Sequence, residues 1–155
     1  MDLADFLIAR TQREVDALFE AARRLPVDKL DWKPAPGARS ALDQLQEVAT
    51  SVDAFWDALA QRKIAFSPEM MAAWNAERMK LTDLDVLEAK ARESYERVYG
   101  FIRSVRPEDW SAKVEMPFPG EFDLAYIVSY YLWNGAYHEG QINYIANLLE
   151  SDAGA

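Results

Sequence analysis

Trp133-Asn-Gly-Ala-Tyr-His-Glu-Gly-Gln-Ile-Asn-Tyr-Ile145 lies in the middle of the cleanest helical period in the chain. Leu124, Val128, Tyr131, Gly135, His138, Ile142, Ile145 and Leu149 follow one another at alternating steps of four and three. That is the spacing of a bundle seam. Asp123 stands where a helix cap belongs, and the pattern carries the helix to about Glu150. His138, the only histidine, therefore faces inward. Burying an imidazole unpaired costs about 1–3 kcal/mol, so His138 requires a partner. A metal ion, a ligand or another side chain would each serve; Asn134, Tyr131 and a backbone carbonyl are the nearest structural choices. Asn134 shares its helix face one turn earlier, and Gln141 lies three residues on. Gly135 and Gly140 each cost about 1 kcal/mol relative to alanine in a helix interior. Close helix packing explains them as well as ligand access does.

Working outward, three more long helices are expected. The first runs from about Leu3 to Leu25, with Leu7, Val15, Leu18 and Ala22 on one face, and stops before Pro26. Val27 to Arg39 holds Pro34, Pro36 and Gly37 and reads as an ordered connection, with Trp32 pinning it to the bundle. The second helix opens at Ser40, with Asp43 in the position of a capping-box acid, and continues to about Arg62. Ser67-Pro68-Glu69 starts a short extra helix to about Met79, carrying Met70, Met71 and Trp74. The third long helix starts at Thr82 and ends at Arg106-Pro107, ahead of a second Pro/Gly-rich connection to Phe122. The fold class is all-α: a four-helix bundle with long connections after the first and third long helices and a short extra helix after the second. Residues 1–150 form one domain and residues 151–155 a tail.

The chain of 155 residues has no cysteine, which removes disulfides, thiolate metal sites and cysteine nucleophiles. Its net charge is −9, with Lys and Arg dispersed rather than clustered. Nucleic-acid affinity draws mostly on phosphate neutralisation, so no nucleic-acid partner is expected. The N-terminus carries acids where a signal peptide would be basic, and the uncharged run from Leu124 to Tyr137 is too short to span a bilayer. No membrane partner and a cytoplasmic location follow as expectations. One histidine and no acid at a diagnostic spacing leave no catalytic triad to assign, and no catalytic residue is named.

Asn134 to Ile142, above all His138-Glu-Gly-Gln-Ile142, resembles the last-helix signature of the DinB/YfiT-like four-helix bundle superfamily. Trp32-Lys-Pro-Ala-Pro-Gly-Ala-Arg-Ser40 is similar to that family's loop before its second helix. Helix order and length match as well. The resemblance implies a divalent metal, zinc or nickel, held by one histidine on the second helix and an H-x-x-x-H pair on the last. Carried over, these positions fall on Glu47, Asn134 and His138, so two of the three histidines are replaced. The resemblance implies a metal-dependent hydrolase or thiol-dependent transferase with a weakened or lost metal site, acting on a small molecule, and a homodimer. The alternative is a non-catalytic, metal-free small-molecule-binding or dimeric interaction bundle. Glu47 lies off the apolar face of its helix, beside Ser40, Ser51, Ala54 and Ala58, which line a pocket or face solvent. Tyr130, Trp133 and Tyr137 on the outer side of the last helix suggest packing against a loop or a second subunit.

Overall fold

Asp2 caps the first helix through its side chain, which accepts from the Asp5 N–H, and α1 runs Leu3–Arg23. A 3₁₀ turn at Val27–Lys29 starts the connection, and Gly37, at φ +81, makes a turn there that only glycine adopts readily. Ser40 Oγ then accepts from the Asp43 N–H at 3.2 Å and opens α2, Ala41–Ala54. The computed structural model describes residues 2–64 and 66–153.

The expected second helix is two pieces. It breaks at Phe55 (φ −116, ψ 17), and α3 is the short Trp56–Ala60. The bend sets the Phe55 ring edge-on to Phe66 and Trp74, at 5.0 and 5.1 Å between centroids. Tertiary aromatic packing thus overrides an apolar pattern that ran on without interruption. The extra helix, α4, is Pro68–Arg78, capped by Ser67. Trp74 Nε1 donates to Thr50 Oγ1 at 2.8 Å and fastens α4 to α2. The cap of α5, Leu84–Ser104, is Asp83 rather than Thr82: its carboxylate accepts from the Val86 N–H at 3.0 Å.

Two short antiparallel strands, β1 (Lys113–Val114) and β2 (Phe122–Asp123), tie the last connection down. Asp123 Oδ1 then accepts from the Tyr126 N–H at 2.8 Å and starts α6, Leu124–Ala153. The helix therefore continues through Ser151–Ala153, placed in the tail from sequence; residues 154 and 155 of that tail lie outside the described residues. Helix α6 lies along α1 and α2, and α5 along α2 and α1, so the four long helices close a ring. Leu18, Leu45, Val48, Leu87, Val98, Ile102, Val128 and Ile142 are buried between them. Each such aliphatic side chain contributes roughly 1.5–3 kcal/mol by leaving water.

Candidate functional site

The polar interior begins on α2. Gln44 and Glu47, three residues apart, share one face of that helix, and on α6 Asn134 and His138, four apart, share the opposing one. His138 is 1 % exposed. Its Nδ1 meets Gln44 Oε1 at 2.9 Å, and its Nε2 meets Glu47 Oε1 at 3.2 Å. Each ring nitrogen therefore faces an oxygen, the amide oxygen of Gln44 on one side and a carboxylate oxygen of Glu47 on the other. The edge of His138 also meets the Tyr137 ring, with centroids 5.2 Å apart.

Arg39, immediately before the α2 cap, reaches forward over the first turns of that helix. Its Nη1 lies 2.7 Å from Glu47 Oε2, its Nε donates to Asp43 Oδ2, and its Nη2 donates to the Asp43 carbonyl at 3.2 Å. Arg78 of α4 holds Asp43 from the other side, at 2.8 Å from Oδ1 and 2.8 Å from the carbonyl. The Asp43 side chain therefore serves two arginines instead of folding back on the helix terminus as a capping-box acid.

These ion pairs set the acidities. Burial pushes the Glu47 carboxyl up, but the His138 hydrogen bond and charge, with Arg39 beside it, outweigh burial and hold it down at about 2. Burial likewise works against the Asp43 carboxylate, and Arg39 and Arg78 still hold it below its usual range. The Tyr130 phenol is raised to about 12, by burial first and by the nearby Glu47 charge second.

The three residues singled out by resemblance are thus placed as follows. Glu47 and His138 touch. Asn134 stands one turn from His138 but does not bond to it; instead its Oδ1 accepts from the Tyr130 hydroxyl over a long 3.4 Å. Its amide nitrogen is buried with no partner among the described residues, as is the Tyr95 hydroxyl. Of the small residues beside Glu47, Ser40, Ser51 and Ala58 are buried and Ala54 is half-buried, so most of that face lies inside the bundle and not in water. Sequence reasoning missed Gln44 and Arg39. Gln44 stands one turn before Glu47 on the same face, and Arg39 immediately precedes the Ser40 cap, so spacing alone places both beside Glu47. Among the described residues, no group of three or more His, Cys, Asp or Glu side chains is placed to share a metal ion.

The outer aromatics of α6 pack on one another. Trp133 stacks on Tyr137 at 5.1 Å and 21°, and both remain about half exposed, while Tyr130 is partly buried against Tyr131. No described helix is long and apolar enough to cross a membrane.

A family model described as DinB superfamily matches residues 9–142. The chain belongs to the DinB superfamily. Solved structures of similar fold include a mycothiol-dependent maleylpyruvate isomerase (TM-score 0.72, 13 % identity, 92 % of this chain and 61 % of that one). This chain therefore spans less than two thirds of the isomerase. A DinB-like protein, YjoA of Bacillus subtilis, aligns at TM-score 0.65 and 14 % identity over 93 % of this chain and 91 % of that one. The colibactin self-resistance protein ClbS, solved in complex with double-stranded DNA, aligns at TM-score 0.71 and 12 % identity over 93 % and 95 %. No curated protein matches the sequence.

ClbS corrects one expectation. The exclusion of a nucleic-acid partner rested on the net charge of −9, and it does not stand, because a chain of this fold is seen with duplex DNA. Net charge describes the field of the whole molecule and not any one face of it.

Proposed function

We propose that this DinB-superfamily chain is a small-molecule-binding bundle that works without a metal ion, in place of the metal-dependent hydrolase or thiol-dependent transferase that the family resemblance implies. The observation that carries this reading is the state of the Glu47 carboxylate. One oxygen is taken by Arg39 and the other by His138. A divalent cation entering among Glu47, Asn134 and His138 would have to displace a guanidinium 2.7 Å from Oε2 and then sit close to its charge. The remaining donors are no better prepared. Both nitrogens of His138 are engaged, and a carboxamide such as Asn134 is a weaker ligand than imidazole or carboxylate. This donor set does not fit zinc or nickel. Arg39 supplies from within the chain the positive charge that a metal would bring.

Calorimetric titration of tag-free protein with zinc, nickel and manganese tests the reading. The expected result is no stoichiometric uptake below millimolar metal. Tight uptake that disappears in His138→Ala would contradict it and restore the metal-dependent enzyme. The variant carrying both Glu47→His and Asn134→His is expected to bind zinc tightly, because it presents three imidazoles across the same two helices. A DNA duplex titrated in parallel provides a second check: saturable binding would point to a partner of the kind ClbS holds, and away from a small molecule.

A further inference from the structure

We infer that the cleft between the loop before α2 and the C-terminal half of α6 is a binding site for a small planar molecule carrying a carboxylate. The inference rests on the reading that the protein binds a small molecule, and it names the chemical class. The cleft is open to solvent and has a volume of about 570 Å³, within the range of small-molecule sites. It abuts the Gln44–His138–Glu47 network without including Glu47 or His138 in its lining.

Four observations converge on this cleft. The first is Gly140, an exposed glycine in its lining. A Cβ at that position would meet nothing within 4 Å, so helix packing does not require the glycine. A helix-interior glycine costs about 1 kcal/mol relative to alanine, and what it provides here is open space. The second is the pair Tyr137 and Tyr144, which flank Gly140 at three residues before and four after, on the same helix face. They are 47 % and 62 % exposed, and both line the cleft together with Gly140. The Tyr137 ring is held in place by the Trp133 stack on one side and the His138 edge on the other.

The third observation is Gln44. It is 1 % exposed and lines the cleft, and its oxygen is fixed by His138 Nδ1. Its amide group lines the cleft, and no hydrogen bond from its nitrogen to another described residue accompanies the one its oxygen makes, which leaves an N–H₂ donor at the cleft wall. The fourth is charge. In a chain of net charge −9, Arg39 is the only charged side chain lining this cleft among the described residues. Its contacts with Asp43 and Glu47 engage one N–H on each of its three nitrogens. A guanidinium carries five, so two remain. A flat ring over Gly140 between the tyrosines, with its carboxylate toward Gln44 and Arg39, satisfies all four features. Hydrogen bonds to an ionised group are the stronger kind, and that strength selects the acid over a neutral isostere.

The test is calorimetric titration of the full chain with 1-naphthoate and benzoate in the presence of EDTA, with 1-naphthylmethanol as the neutral comparison. Saturable one-to-one binding of the acids is expected, and the alcohol should bind at least about tenfold more weakly, as loss of a charged hydrogen-bond partner implies. Gly140→Leu should fold with an unchanged or slightly higher melting temperature and lose acid binding. Tyr144→Ala, at an exposed position, should weaken it. Absence of acid binding, acid binding unaltered in Gly140→Leu, or equal binding of the alcohol would each overturn the inference. EDTA separates the two questions: zinc uptake in the absence of chelator would refute the metal-free reading while leaving acid binding in EDTA intact, and failure of the acids to bind would leave the metal result untouched.

Discussion

Where α6 runs along α1, a Cβ placed on Gly135 would come within 3.3 Å of Glu14 Cβ, and the glycine lets the two helices close up. Where the same helix faces the loop before α2, a Cβ on Gly140 would touch nothing. The first flank buries Val15, Leu18 and Ala22 from α1 against Ile142 and Ile145. The second holds the linked side chains Gln44, His138, Glu47 and Arg39, of which Gln44 and Arg39 line the cleft, with Asn134 one turn from His138 and bonded to Tyr130 instead. The lesson is that one residue type on one helix does two jobs, and only the neighbours on each side tell them apart. The α1 flank is close apolar packing, and the polar side chains that line the cleft, Gln44 and Arg39, lie on the α2 flank.

The largest test of this contrast is acid. The Glu47 carboxyl is held at about 2 in the folded protein against an ordinary 4.5, so the ionised form is favoured by folding. Its contribution is complete above the ordinary value and is lost as pH falls from about 4.5 towards about 2. Wild type should exceed Glu47→Gln in urea-unfolding free energy by up to about 3 kcal/mol near neutral pH. The gap should close across that acid window; a gap independent of pH would remove Glu47 from the ionic network.

Substitution of the two glycines comes next. Gly135→Leu forces a side chain into the α1 contact and is expected to cost about 2 kcal/mol, as overpacking does. Gly140→Ala adds only a methyl in open space and should stabilise by up to about 1 kcal/mol, the helix-propensity difference. Thermal melts of both variants decide it. Equal effects would erase the distinction between the flanks.

Much of this architecture was legible beforehand, because it rests on local rules. The period of Leu124 to Leu149 marked α6 and turned His138 inward, and Ser40, Ser67 and Asp123 announced their helix starts. The break at Phe55 was not legible. The apolar spacing of α2 continues through Leu59, and what bends the backbone is a contact with Phe66 and Trp74, distant in sequence. The candidate site was half visible. Glu47 entered through family resemblance, and the structure sets it against His138. Gln44 is not legible because a buried amide leaves no mark in the apolar period of α2. Asn134 was expected to pair with His138 through shared face, but its oxygen accepts from the Tyr130 hydroxyl one turn earlier instead.

The presence of a single histidine makes the most direct measurement clean. A long-range ¹H–¹⁵N spectrum of labelled protein reports the two ring nitrogens of His138 alone. The account predicts that Nε2 carries its proton into a hydrogen bond with a carboxylate, that Glu47→Gln shifts this signal, and that excess zinc leaves it unchanged. Loss of the Nε2 proton on addition of stoichiometric zinc, with the shift of a metal-bound imidazole, would contradict the account.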